Sequence, residues 1–471
     1  MKWWRKLNRK EYPGVYFEKD KHLISSLKLW DLLSLGIGIV VGTAIFTLPG
    51  IVAARHAGPA VSISFLLGAL GAGLAALIYA ETASVLPFAG SAFSWVSILF
   101  GELAGWLCGW ALLAEYFISV SFVASGWSAY MQGFLASFNI KLPHYLTSGI
   151  DFKGNFGIDL FTIAIIVIAA RLLSKGLERT SRVENILVVL KVLVIILFIA
   201  VGLTAIHPNN YVPFIPQHRP GTDFGGWQGV LAGTSQLFLV YVGFDAIAAN
   251  TAETINPQKT MPRGILGTLL FGTVLFVLVS LVLTGMFKYS VYAGNAEPAA
   301  FALRKTGHYF VANVLSLVAI FGMVSGLIGM LLASSRLIYS FSRDGFLPNS
   351  LGKVDAKGSP SRAVWVVTIA AVILGGVLPF DFLSNLVSAG TLIAFAVVSL
   401  AMYQLRKREG KDLPLPKFKV LGYPFTPAIS AGISIIIFWK LNFEAKLLML
   451  VWILIGLIVY FAYGYRHAGK N

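Results

Sequence analysis

The chain has 471 residues, 57% of them hydrophobic and 12% charged, with a formal net charge of +16. A soluble domain usually carries about a quarter charged residues, so the composition excludes an ordinary soluble protein and points to lipid as the solvent. The single cysteine, Cys108, excludes internal disulfides and multi-cysteine metal sites and reads as a small apolar packing residue.

Residues 1–28 mix charges with aromatics and show no apolar core followed by a cleavage site, so they read as a cytoplasmic segment and not a signal peptide. Twelve charge-poor runs follow, each near the ~20 residues that cross a bilayer as a helix. They centre on Val41, Leu74, Leu113, Ile166, Ile195, Val240, Leu275, Leu327, Ala371, Ile393, Ile435 and Ile455. Backbone groups in lipid need internal partners, and these runs are too long and continuous for the alternating strands of a barrel. Stretches 139–159, 207–227 and 343–362 read as loops from their Gly, Pro, Asn and Ser content. The predicted organisation is a cytoplasmic segment 1–28, a ten-helix transport core 29–405, a cytoplasmic loop 406–424, and two peripheral helices with a tail, 425–471.

With the N-terminus inside, 26 of the 37 lysines and arginines fall in cytoplasmic segments and nine outside, while Lys191 and Arg336 lie within spans. That asymmetry is the positive-inside signature. It places both termini in the cytoplasm and explains the basic excess without nucleic acid, for which no basic patch with interleaved aromatics exists.

The first and sixth spans are interrupted. Span 1 reads Gly36-Ile-Gly-Ile-Val-Val-Gly42-Thr43-Ala44-Ile-Phe46 before Pro49-Gly50, and span 6 reads Leu239-Val-Tyr-Val-Gly243-Phe-Asp245-Ala246 before Asn250 and Glu253. Five spans apart, they take opposite orientations at matching places of two halves, the pattern of an inverted repeat with two discontinuous helices. The plainer alternative is that the glycines only let helices pack closely. An unwound helix frees N–H groups for an anion and C=O groups for a cation. A zwitterion needs both. Gly42, Thr43 and Ala44 offer the N–H groups; Val40, Leu239 and Val242 offer carbonyls.

Ionisable groups inside spans are costly and are functional candidates. Lys191 has no carboxylate within a helical turn and is the candidate proton carrier, with a permanently charged strut as the alternative. Glu115, beside Tyr116, is a buried acid in need of a partner. Asp245 is expected to satisfy N–H groups freed at the span 6 break or to reach an extended substrate. Glu253 reads as a gate or surface acid. Arg336 is expected to pair with an acid in the nearby Ser342-Arg343-Asp344.

Several segments together resemble bacterial members of the cationic amino acid transporter family, within the amino acid–polyamine–organocation superfamily. They are Gly36 to Thr43, Pro87-Phe-Ala-Gly-Ser91, Glu115-Tyr116 with Gly126-Trp-Ser128, Tyr241 to Asp245 with Asn256-Pro-Gln258 and Pro262-Arg-Gly-Ile265, and Ser342 to Pro348. The resemblance implies an all-α membrane protein of LeuT-like fold, a 5+5 inverted repeat with two peripheral helices, and amino acid import by alternating access, often proton-coupled. It also implies that Lys191 bridges spans 1 and 8 where sodium sits in sodium-coupled relatives, and that Glu115 lies near the substrate or its proton route. Relatives often have glycine at Ala44 and an aromatic lid at Leu239; Phe238 or Tyr241 would then replace that lid here. Met330 matches a pocket-lining position and offers no acid to a cationic tail.

The expected function is therefore proton-coupled import of small or medium neutral L-amino acids in a bacterial cell membrane, with no cofactor but the proton. Exchange against a product or polyamine, and cationic amino acid uptake, are the alternatives. A partner at the peripheral helices is left open. The seven histidines lie mostly in loops and form no catalytic constellation, and no phosphate-binding loop is present, so neither an enzyme nor an ATP-driven pump is expected.

Overall fold

The computed structural model describes residues 14, 20, 23, 25–42, 44–136, 138–140, 142–150, 157–174, 177–295, 297–355 and 359–468, with the backbone alone at 144, 177–181, 239, 242, 381, 384 and 385. Helices make up the regular structure, and no β-strand occurs among the described residues. The main helices are α1 (Leu29–Val40), α2 (Ala44–Val52), α3 (Val61–Val85), α4 (Ala92–Leu99), α5 (Glu102–Ala136), α6 (Leu160–Leu173), α7 (Leu177–Leu203), α8 (Gly226–Leu237) and α9 (Gly243–Ala248). They continue as α10 (Pro257–Met286), α11 (Pro298–Lys305), α12 (Tyr309–Arg343), α13 (Ser361–Val377), α14 (Phe380–Leu386), α15 (Ser388–Arg408), α16 (Phe425–Lys440) and α17 (Phe443–Val459).

Among the described residues, seven helical runs are long and apolar enough to cross a membrane, the first being Leu29–Val85. That run joins the predicted first two spans through a π turn at Ala53–Ala57 and a tight turn at Gly58–Ala60. Leu160–Leu173, Ser361–Val377 and Phe425–Lys440 are shorter apolar helices. One large apolar core threads the bundle. Side chains such as Leu193 and Ile196 of α7 and Trp439 and Leu450 of α16 and α17 are exposed, forming the kind of surface that lipid covers.

Both predicted interruptions are present. In α1 the Val41 N–H keeps its bond to Ile37 O, but the Gly42 N–H turns to Ile39 O at 3.2 Å. The tightened turn leaves Gly38 O without the Gly42 donor that a continuous helix would supply. The sixth span divides into α8, a 3₁₀ turn at Phe238–Val242, and α9. It ends at Asn256, whose left-handed backbone (φ 52°) precedes Pro257 at the start of α10. Asparagine tolerates that conformation, and proline suits the first helical turn.

The glycines of span 1 serve two purposes. A Cβ on Gly36 would stand 2.4 Å from Ile247 and Thr268 side-chain atoms, so this glycine permits close packing. Gly42 lies in the break itself, where a Cβ would meet Ile39 O at 3.0 Å. The packing and unwinding readings therefore both apply, at different residues.

Candidate functional site

The two interruptions cross. A Cβ on Gly243 would lie 2.6 Å from the Ile39 side chain and 2.9 Å from that of Val40, so only glycine lets α9 approach α1 this closely. Beside the crossing is a cavity of about 30 Å³, lined by Ile39, Val40 and Ala44 from span 1, Val240 and Gly243 from span 6, and Met330 from α12, with Ser119, Phe122, Val123 and Val387 completing the wall. It has room for about one or two waters. Among the described residues, no ionisable side chain lines it.

Among the predicted substrate residues, Val40, Ala44 and Met330 line this cavity and Gly42 sits at the break. Thr43 lies outside the described residues, as do the side chains of Leu239 and Val242. Neither candidate replacement lid borders the cavity. Tyr241 donates its hydroxyl to Phe65 O at 2.9 Å, and the Phe238 ring packs against Phe395.

Lys191 of α7 is fully buried. Its Nζ donates to Gly38 O at 3.0 Å and to Ser325 Oγ of α12 at 2.9 Å. The carbonyl released by the span 1 break is thus the one that receives the ammonium. α12 comes close here because Gly326 has no side chain; a Cβ there would stand 2.8 Å from Gly38 O. Lys191 therefore physically connects α1 and α12.

Glu115 lies away from the cavity wall. One carboxylate oxygen accepts the Thr391 N–H in the first turn of α15, where the helix dipole favours negative charge. Its other oxygen has no hydrogen-bond partner among the described residues. Among the described residues Asp245 accepts no N–H freed at the break, the first of its two expected roles. Its carboxylate accepts the Tyr116 hydroxyl and, at 3.1 Å, the Ser91 hydroxyl, because the first turn of α9 faces α5 and the turn before α4. Asp245 thus ties α9 to α5 and to the turn before α4.

The end of the bundle where α1 begins corrects two further expectations. Arg336 pairs with Glu253 and not with Asp344, donating from Nε at 2.8 Å and Nη2 at 2.6 Å. Both residues are 1% exposed, so Glu253 is no surface acid. Asp344 is instead held by Arg343, which also donates to Asp20 Oδ1 at 2.7 Å and to Ser94 Oγ at 3.1 Å. Asp20 in turn accepts the Ala89 N–H at 3.0 Å. This strap ties the segment before span 1 to α12 and the α3–α4 turn. Nothing in the local pattern around Asp20 singled it out.

A second residue that sequence reading missed is Glu184 of α7, 4% exposed, with Oε1 lacking a hydrogen-bond partner among the described residues. It sits seven positions before Lys191, beyond one helical turn but on the same face, since seven residues span almost two whole turns. At the opposite end of the bundle, Glu297 covers Gly133 of α5 and faces Arg304 at 3.5 Å. Burial raises the Glu297 carboxyl to about 7, against the pull of Arg304.

The sequence profile of the amino acid permease family matches residues 27–463. The chain belongs to the amino acid permease family. The branched-chain amino acid permease BcaP of Lactococcus lactis subsp. cremoris is 51% identical over 462 residues, covering 98% of this chain and 99% of the relative. The methylthioribose transporter of Bacillus subtilis is 39% identical over 454 residues, 96% of each chain. A plant relative, the vacuolar cationic amino acid transporter 4 of Arabidopsis thaliana, is 31% identical over 423 residues, 87% of this permease and 68% of the relative. These relatives are named as permeases and transporters, so the family performs transport and not catalysis. The permease is a multi-pass membrane protein.

Proposed function

We propose that this permease imports branched-chain and other neutral L-amino acids together with protons, by alternating access. The observation that carries the substrate class is the wall of the cavity at the crossed breaks, where valine, isoleucine, phenylalanine and methionine side chains meet and no acid stands among the described residues. A guanidinium or ammonium tail would be desolvated there without a partner, which costs several kcal/mol. A branched aliphatic side chain gains about 1.5–3 kcal/mol from burial in the same place. The name of the 51% identical relative agrees with this reading.

The substrate's backbone is read at the breaks, with N–H groups of Gly42, Thr43 and Ala44 receiving the carboxylate and carbonyls near Val40, Leu239 and Val242 receiving the ammonium. Lys191 is the proton carrier. Its two partners lie on α1 and α12, so losing its proton weakens a tie between the broken helix and its scaffold. Glu115, with one unpartnered oxygen, is assigned to the proton route. The architecture that fits is a LeuT-like inverted repeat of ten helices spanning 29–405, a cytoplasmic loop 406–424 and two peripheral helices within 425–471, with both termini inside. Paired breaks at matching places support the repeat.

The test is uptake into proteoliposomes of leucine, valine, alanine, arginine and methylthioribose, with and without an inside-alkaline pH gradient. Gradient-driven leucine accumulation, abolished by Lys191→Met, is expected. Preference for arginine or methylthioribose over leucine would overturn the substrate class. Unchanged accumulation by Lys191→Met would overturn the role of the lysine.

A further inference from the structure

The heads of two ionisable residues converge on Gly38. Lys191 Nζ donates to its carbonyl at 3.0 Å. A Cβ on Gly38 would lie 3.2 Å from Glu184 Oε1 and 3.2 Å from Ser325 Oγ. That serine hydroxyl also accepts from Lys191 at 2.9 Å. A buried ammonium and a buried carboxylate therefore flank one small residue, with a hydroxyl beside both. Burying the carboxylate is costly unless a cation or proton accompanies it.

The other direction from Glu184 leads outward. Its neighbour Asn185 donates to Asp31 Oδ1 at 3.0 Å. Asp31 lies in the first turn of α1 and is half-buried, accepting the Lys28 N–H at 2.9 Å. Across the helices packed against α7, the charge that acts on Glu184 besides Lys191 is Asp31, and the charge that acts on Lys191 is Glu184. The three groups run from fully buried, through nearly buried, to partly exposed, toward the end of the bundle that the positive-inside signature puts in the cytoplasm.

We infer that Glu184 is the inner proton relay of the permease, taking the proton from Lys191 and passing it toward Asp31 and the cytoplasm. This rests on the proton-coupled reading given above. Once the two side chains close to hydrogen-bond distance, an N–H bond of the ammonium breaks and an O–H bond forms on the carboxylate, leaving a neutral amine and a neutral acid. The acid then gives its proton to water at the Asp31 end, which restores the carboxylate. The amine stays neutral until the next proton arrives from outside. Release of the Lys191 tie and delivery of the proton are then one event.

The experiment compares leucine transport in proteoliposomes for the parent, Glu184→Gln, Glu184→Asp and Lys191→Met, with a pH dye trapped inside. Two modes are read: accumulation under an inside-alkaline gradient, and leucine counterflow at equal pH, which needs no net proton release. For Glu184→Gln, gradient-driven accumulation and leucine-dependent acidification should slow about a hundredfold, the lower end of what a positioned proton acceptor contributes. Counterflow should stay near the parent's, and Glu184→Asp should restore part of the coupling. Full coupling in Glu184→Gln would overturn the relay while leaving Lys191 as the carrier, provided Lys191→Met is uncoupled. Loss of both modes in Glu184→Gln would make the carboxylate a structural group and also overturn the relay. A parent that accumulates no leucine under the gradient would remove the proton-coupled reading and this inference together.

Discussion

Trp110 of α5 and Trp452 of α17 each donate an indole N–H to the other's backbone carbonyl, at 2.8 and 2.7 Å, with their rings stacked 4.8 Å apart. A third indole bond, from Trp106 to Gly456 O at 2.8 Å, fastens α17 one turn further along. Trp452→Phe keeps a ring but removes one donor. It should cost about 0.5–1.5 kcal/mol, read as a lower melting temperature in detergent, with leucine uptake unchanged because α17 contributes no residue to the cavity wall at the crossed breaks.

The buried Arg336–Glu253 pair predicts a larger effect. Glu253→Gln leaves a guanidinium without its anion in the protein interior, at a cost of about 3–5 kcal/mol. Poor recovery of monodisperse protein on size exclusion is expected. Combining Glu253→Gln with Arg336→Met removes the stranded charge and should recover much of the loss. A double variant no better than the single one would show that the pair contributes geometry and not merely charge balance.

Gly243→Ala tests the crossing. A methyl group there meets Ile39 and Val40 at 2.6 and 2.9 Å, and overpacking of this kind costs about 1–3 kcal/mol. Leucine uptake should fall sharply while lysine-dependent features at Gly38 remain. Ile39→Ala in the same chain makes room and should restore part of the uptake.

Glu297 makes a prediction about pH. Its carboxyl is raised by burial to about 7 from the ordinary 4.5, so between those values the folded protein holds a proton that the unfolded chain has lost. The stability this confers is complete below about 4.5 and disappears as pH rises through about 7; it amounts to no more than about 3 kcal/mol. The melting temperature of the parent should therefore fall between pH 5 and pH 8 by more than that of Glu297→Gln. Parallel profiles for the two proteins would refute the assignment.

The apolar helices and their interruptions were legible in the amino-acid sequence because both are local features. Span 1 and span 6 were readable as broken, and Lys191 stood out as a charge in an apolar run. Which residues face one another was much less legible. Arg336 lies near Asp344 in sequence but meets Glu253, 83 residues away, because the helix face it occupies turns toward the end of span 6. Asp245 meets Tyr116 and Ser91 for the same reason. Glu184 was legible from its seven-residue spacing to Lys191, which puts both on one helix face. Asp20 was not, since its partners Arg343 and Ala89 are set by tertiary packing alone.

The small size of the cavity at the crossed breaks has a thermodynamic consequence. A conformation with room for a water or two is not the one that receives leucine, so leucine binds only the fraction of molecules that have opened to a wider one. The measured dissociation constant is then the intrinsic one divided by that population. A substitution that trims the wall, such as Met330→Ala, would raise the receptive fraction and tighten leucine binding while slowing return of the empty carrier. Affinity and turnover would move in opposite directions, and a screen for tight binders of this permease would select poor transporters.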